Sequence, residues 1–455
     1  MVDARPHRWS WGRLAERAAE PVDGASLAAW RFGLGLILAV AHLRFVTEGW
    51  VEPFYVAPSF RFHYWLIGPV APLAGPAMTA LHLLLVGVGV AMALGWRTRA
   101  MALLMGLGTA YVDAVDLTNY LNHHYLVILL CGLAAAVPSG DRVPRGALWL
   151  LRTQVGIVYT YAAVAKMGPD WLLYGQPLNT WLMARADWPV LGRLFARSET
   201  AIAMSWAGML YDLTIAWWLL NRRTRGPAFA VLLGFHTMTA LLFRIGIFPY
   251  LMTVNATLFF DPSWPRRLGV AARAALARLP VRGPGPAPAR LPRWTMALAG
   301  VYLTLQVLLP LRFLLYPGEV LWAEEGMRFS WRVMVREKHG DVSLRVVRPD
   351  GRSVVEVPRR WLDTRQEREM ASQPDLVWQL AQRVAADYRA RGHGDVAVYA
   401  DAWVSLNGRP PVRMIDPTVD LAHVADDLRP KSWILPAPKG PPARLGQIAA
   451  ATMER

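Results

Sequence analysis

The chain contains one cysteine, Cys131, in 455 residues. That scarcity excludes an internal disulfide and any zinc site built on thiolates. Charge is also sparse, at 18 % of residues against 54 % hydrophobic, and it avoids several long apolar runs. Lysine is scarcer still: Lys166 is the only one before Lys338, and arginine supplies positive charge elsewhere in that stretch. No glycine-rich phosphate loop, nucleophile elbow or zinc-protease motif occurs. The N-terminus lacks the apolar core and small-residue cleavage site of a signal peptide. A net charge of +16 invites a nucleic-acid reading. No basic stripe interleaved with aromatics is present, however, so no nucleic-acid partner is expected.

What the chain does have is apolar length. Runs that cross, or nearly cross, a bilayer fall at 26–46, 76–95, 100–115, 125–137, 147–165, 201–220, 228–243, 245–260 and 294–316. The connecting segments alternate in charge. Arg97, Arg99, Arg142, Arg145, Arg222, Arg223 and Arg225 mark one side, joined by the arginines of 261–293, where the Gly/Pro-rich stretch 283–288 reads as a solvated linker. Glu48, Glu52, Asp113, Asp116, Asp170 and Asp187 mark the other. The positive-inside rule makes the basic side and the N-terminus cytoplasmic, in the cell (inner) membrane, and places everything after Tyr316 outside. The expected fold is mainly α: a polytopic bundle of about eight to nine membrane helices carrying a small extracytoplasmic α+β domain. Its divisions are an N-terminal cytoplasmic segment 1–25, a membrane domain 26–318, the outer domain 319–436 and a disordered tail 437–455.

The outer domain is read from its periodicities. Residues 342–346 alternate, Pro349-Asp350-Gly351 signals a turn, and 353–357 returns as a paired strand. Leu376, Leu380, Val384 and Tyr388 recur every fourth position, which predicts an amphipathic helix over 374–391. Residues 396–406 alternate again, and Asn407-Gly408 turns the chain toward Val412 and Met414.

Ionisable residues inside apolar runs are expensive, and so mark function. Lys166 ends one such run among Ala162, Ala163 and Ala165, small residues that permit close helix approach. A lysine, unlike an arginine, can lose its proton when desolvated, and so can act as a base. The bland alternative is a side chain that snorkels to the headgroups. His236 lies in mid-run, and His123 and His124 open another. Asp212, also within a run, calls for a buried cationic partner such as Arg152 or Arg31, a structural pairing. His82, His123, His124 and His236 lack the one-turn spacing of a helical metal pair, and carboxylates are scarce, so no metal is expected.

Several segments resemble one family, the vitamin K-dependent gamma-glutamyl carboxylases, whose membrane part is the HTTM domain. They are Ser26-Leu-Ala-Ala-Trp-Arg31, Asp116-Leu-Thr-Asn-Tyr-Leu-Asn-His-His-Tyr125, Arg152-Thr-Gln-Val-Gly-Ile-Val-Tyr159 and Lys166-Met-Gly-Pro-Asp-Trp171. Phe235-His-Thr-Met238, Ile245-Gly-Ile-Phe-Pro-Tyr250 and Asp261-Pro-Ser-Trp-Pro265 continue the likeness. Phe329-Ser-Trp331, Asp401-Ala-Trp-Val-Ser-Leu-Asn407, Asp416-Pro417 and Ser432-Trp433 extend it into the outer domain.

The resemblance implies an enzyme of the carboxy-lyase class that uses reduced vitamin K, O2 and CO2, with no metal. Such an enzyme oxygenates the hydroquinone to its epoxide and couples this to carboxylation of glutamate in a peptide or protein. It implies Lys166 as the catalytic base, with Asn122 and His123 beside it. His236, Tyr125, Tyr159 and Arg152 are implied as quinone-binding or oxyanion-stabilising. Two departures stand out: the chain is short after the membrane part, and Arg336 occupies the place where the family carries a histidine after Ser-Trp. A quinone-binding or transport protein without carboxylation, and a metal-dependent membrane oxidase, are the competing expectations.

Overall fold

The computed structural model describes residues 11–243, 245–268 and 292–442. The linker 283–288, most arginines of 269–291, the first ten residues and the tail from 443 lie outside the described residues. Each apolar run becomes helix: α1 (Ala25–Thr47), α2 (Gly75–Ala93), α3 (Thr98–Val115), α4 (Asn122–Ala136), α5 (Arg145–Ala165), α6 (Ser198–Leu220), α7 (Arg225–Leu242), α8 (Phe248–Ala256) and α9 (Arg293–Leu308). The last is extended by a 3₁₀ turn, Leu309–Leu315. Among the described residues, three helical stretches are long and apolar enough to cross a membrane: Ala25–Thr47, Gly75–Ala93 and Arg293–Leu315. This is fewer than the eight to nine expected, because the other helices are shorter or carry polar residues that face the bundle interior.

Small residues set how closely the helices approach. Gly35 of α1 and Gly89 of α2 meet back to back: a Cβ on Gly35 would lie 2.5 Å from the Gly89 carbonyl oxygen. A Cβ on Gly106 of α3 would lie 3.1 Å from that of Cys131 on α4, so the single cysteine acts as a small packing residue in the core. Polar anchors add direction to this packing, as where the Trp30 indole donates to Asn255 at 2.8 Å.

One end of the bundle collects the basic connections. Strands β1 (Pro21–Asp23) and β2 (Arg142–Pro144) pair antiparallel there. Arg145 pairs with Glu20, Arg266 with Asp23 and Arg267 with Asp261. The C-terminal domain sits on the opposite end. Its sheet has the antiparallel order β4-β3-β5-β6, from β3 (Lys338–Val347), β4 (Ser353–Glu356), β5 (Ala397–Leu406) and β6 (Val412–Arg413). Register places Val342, Leu344 and Val346 opposite Ala402, Ala400 and Val398, so the apolar sides of both strands share one face. Helix α11 (Pro374–Ala390) covers that face with Leu376, Leu380, Val384 and Tyr388, all buried.

A further helix, α10 (Thr364–Ala371), lies in a segment whose periodicity does not announce it. Asp363 and Gln366 form its capping box, a sequence signal that the few apolar residues of the segment obscure. Residues 437–442, expected within the disordered tail, are seated instead: Ala437 packs on the domain core and the Gly440 carbonyl accepts from Arg409.

The two domains share surfaces rather than a tether. Phe62 and Leu117 of the membrane part join the C-terminal core, and Trp331 of the C-terminal part joins the membrane core. Gln366 donates to the buried Asp116 at 2.7 Å, and Arg409 and Asn407 both hold Asp170. The helix crossing yields a direct test. Gly35→Val forces α1 and α2 apart, and should destabilise the protein by about 1–3 kcal/mol, the usual cost of overpacking. The readout is the unfolding midpoint in detergent; an unchanged midpoint would mean that the close approach is not needed.

Candidate functional site

Helix α5 ends at Lys166, and the next four residues, Met167-Gly-Pro-Asp170, reverse the chain so that Trp171 folds back over it. The Trp171 indole is fixed by donating to the Ser205 carbonyl at 2.7 Å, and its ring centroid lies 5.3 Å from Lys166 Nζ. The same ammonium donates to Asp212 Oδ2 at 2.8 Å and to the Ala162 carbonyl at 3.3 Å. Both side chains are over nine-tenths buried. Each charge therefore compensates the other's lost hydration.

A cavity opens beside this pair. Val158, Tyr159, Ala162 and Lys166 line it from one face of α5, while Met204, Gly208 and Asp212 line it at successive turns of α6. Phe235, His236, Met238 and Thr239 close it from α7, and Phe248 and Met252 from α8. Val333 and Met334 reach in from the C-terminal domain. The walls are apolar rings and thioethers, and the polar groups are few and converge. Tyr159 and His236 Nε2 are 3.2 Å apart, with Tyr211 3.4 Å from the same nitrogen. His236 Nδ1 is buried without a hydrogen-bond partner among the described residues.

Of the residues singled out in the sequence, Lys166, Tyr159, His236 and Asp212 come together here. Asp212 pairs with Lys166 and not, as the sequence suggested, with Arg152 or Arg31. Arg31 donates to the Pro138 carbonyl, and Arg152 to those of Leu258 and Phe260. Arg152 stands fourteen positions, about 21 Å of helix, before Lys166 and so lies remote from the chamber. Tyr125 is also elsewhere: its ring stacks on Trp331 at 4.9 Å and its hydroxyl accepts from Gln306. His123 is buried behind the chamber wall, its ring 6.4 Å from that of Phe248 and beside Gly246, whose φ of +60° favours glycine. His124 turns to Asp113 at 3.0 Å, and His82 contacts His42. Among the described residues, no group of three or more His, Cys, Asp or Glu side chains is placed to hold a metal ion.

Asn122 faces a second cavity, which is polar. It accepts from the Tyr120 hydroxyl at 3.0 Å and shares the lining with Glu324, Arg328, Arg332, Arg336 and Glu369. Glu324 is held by Arg336 and by Lys338, the latter at 3.0 Å. Burial pushes the Lys338 ammonium down to about 8, with Glu324 pulling the other way. Burial raises the Glu369 carboxyl. Sequence reading missed this cavity, since its residues come from the start of α4, the segment before β3 and α10. It also missed that Asp212 and Lys166, each the only charged residue of its kind in or at the end of its own run, are each other's partner.

A helical bundle with a buried acid–base pair at an apolar chamber, roofed by an α+β domain, defines the class: a helical membrane protein with a largely apolar internal chamber. Residues 19–264 match the family model described as HTTM domain, and residues 291–440 match that of the vitamin K-dependent gamma-carboxylase lumenal domain. The chain belongs to this gamma-carboxylase-like family. No solved structure matches it significantly.

The charges make two outcomes testable. Lys166→Met or Asp212→Ala leaves one buried charge alone and should destabilise the protein by about 3–5 kcal/mol. The double variant Lys166→Met/Asp212→Leu should recover most of that loss in detergent unfolding; additive losses would refute the pairing. Lys338 titrates near 8 in the folded state against an ordinary 10.5, so the unfolded chain binds more protons between those values. Stability should therefore rise with pH across that window, and Lys338→Met should remove that part of the rise in thermal unfolding.

Proposed function

We propose that the chain is a multi-pass membrane enzyme of the cell (inner) membrane. It oxygenates a reduced vitamin K or menaquinone-type hydroquinone to its epoxide and couples this, as a carboxy-lyase, to carboxylation of glutamate. The observation that carries the proposal is the Lys166–Asp212 pair at the edge of an apolar, ring-lined chamber. Family membership supports vitamin K as the cofactor and a catalytic role for the membrane part.

In this reading 26–318 is the catalytic membrane domain, crossed eight to nine times, and 319–436 is the extracytoplasmic domain. The gathering of basic connections at the end opposite the C-terminal domain supports that orientation. The chamber suits the cofactor: flat aromatic walls, adaptable methionines, and Tyr159 with His236 as polar contacts, one nitrogen still unsatisfied. A reduced naphthoquinone supplies two acidic ring hydroxyls and an electron-rich ring that reacts with O2.

Lys166 and Asp212 manage the proton. Transfer from Nζ across the 2.8 Å bond to the carboxylate leaves a lone pair on the amine, able to take a hydroxyl proton at the chamber wall. Tyr159 and His236 would hold a quinol oxygen by hydrogen bonds beside the amine. His123, behind Phe248, positions that wall, and Asn122 belongs to the polar cavity in which the glutamate-containing peptide and CO2 react. The lipid bilayer and the quinone are the remaining partners.

A second reading, quinone binding or transport without carboxylation, has one observation in its favour: Arg336 is engaged with Glu324 in the polar cavity. Purified protein in nanodiscs, given vitamin K hydroquinone and O2, should form epoxide. Lys166→Ala and Lys166→Arg should each lower that rate by about 10²–10⁴-fold, because neither supplies a base there. Equal rates in Lys166→Ala would exclude the proposed base. Quinol binding without oxygen uptake in the unaltered protein would favour the second reading, and radiolabelled bicarbonate in a glutamate peptide would exclude it.

A further inference from the structure

The segment joining the membrane part to β3 has an unusual backbone. Glu324, Phe329, Trp331 and Met334 all adopt left-handed conformations, with φ of +61°, +61°, +58° and +57°. A Cβ makes this region unfavourable, most of all for bulky side chains. Conformations of this kind persist only where surrounding contacts over-determine them, and they gather at functional sites. Three of the four are visibly clamped. Glu324 is held by Arg336 and Lys338, the Phe329 amide donates to the Tyr120 hydroxyl at 2.8 Å, and Trp331 stacks on Tyr125.

Met334 is the exception, and its place is distinctive. It lines both cavities: the apolar chamber with Lys166 and Asp212, and the polar cavity with Asn122, Arg336 and Glu369. Its side chain is half-buried and presents only methylenes and a thioether to either one. The polar cavity also shares Leu117, Glu324 and Arg328 with a wider cleft that reaches Trp65, Arg429 and Lys431 on the surface. One unbranched side chain therefore stands between a pocket among the helices and a series of polar spaces leading outward.

We propose that Met334 is the partition between the two cavities, aimed into the gap by its left-handed backbone and opened by rotation of its own side chain. Methionine suits such a position because it seals an irregular gap against water, yet has three rotatable bonds and no polar anchor. The backbone need not move, because the clamped residues on its N-terminal side hold it. The partition gives Met334 a positioning role that rests on the reading of the Lys166 chamber as the oxidation site. A strong base formed in that chamber is kept from bulk water while closed, and meets the contents of the polar cavity when open.

Access can be tested without any substrate. In a Cys131→Ala background, Thr239→Cys places a single thiol on the far wall of the apolar chamber. An anionic, membrane-impermeant methanethiosulfonate should label it slowly while Met334 is present. With Met334→Gly added, labelling should be at least about tenfold faster, as a buried thiol becomes reachable from water. Met334→Leu, which keeps the bulk, should stay near the parent rate. A lipid-soluble maleimide should label all three at similar rates. If Met334→Gly leaves the thiosulfonate rate unchanged, the partition lies elsewhere. If maleimide labelling rises equally, the chamber has loosened as a whole and the proposal fails. Neither result bears on Lys166, which the epoxide assay tests by itself. In a protein that performs both reactions, Met334→Gly should yield several-fold less carboxylated product per epoxide formed.

Discussion

An ammonium and a carboxylate cannot stay charged inside an apolar bundle unless they face each other, and the Lys166–Asp212 contact meets that condition at 2.8 Å. Much of the membrane part is arranged around it. Helix α5 must end where Nζ can reach α6, and small residues at Ala162 and Gly208 keep space open beside the pair. Trp171 must fold back to cover the amine, which the Gly168-Pro169 turn and the bond to the Ser205 carbonyl secure. The chamber is then a consequence of geometry: the pair occupies its wall, with Tyr159 two turns back on α5 and His236 approaching from α7. A buried pair contributes little net stability, yet losing either partner alone is costly.

The C-terminal domain completes the chamber as well as covering it. Val333 and Met334 form part of the lining, and Trp331 is packed into the membrane core with no exposed surface. In return Phe62 and Leu117, from connections between membrane helices, enter the core of the small domain. Asp170, four residues beyond Lys166, is gripped by Arg409 and Asn407 at the hairpin after β5. The end of α5 is thus tied directly to the sheet, and the two parts form one framework around the chamber.

Helices and strands were readable because their causes are local. Every apolar run became a helix, and the alternation in 342–346 and 396–406 became the central strands of the C-terminal sheet. Lys166 and His236 stood out because an ionisable side chain in an apolar run is costly wherever it ends up. Helix α10 is not legible in the same way, because it is held by a capping box and by contact with Asp116, with little apolar periodicity of its own. The seated stretch 437–442 is hidden for a related reason: proline-rich chain looks unstructured until a neighbouring surface, here that of Ala437 and Arg409, is supplied.

Pairing is where sequence reasoning stopped. Asp212 needed a cation, and Arg31, Arg152 and Lys166 were equally available to it in the sequence. Only the packing of α5 against α6 selects Lys166, while Arg31 and Arg152 satisfy main-chain carbonyls near the opposite end. Asn122 and His123 are adjacent in sequence yet serve different spaces, because successive helical positions point about 100° apart. Composition and periodicity, which depend on each residue and its near neighbours, determined that the chain forms apolar helices with a small α+β domain and carries a few costly polar groups. Which of those groups meet, and that a methionine from the second domain stands between two cavities, was decided by contacts between segments far apart in the chain, which exist only once the helices are packed.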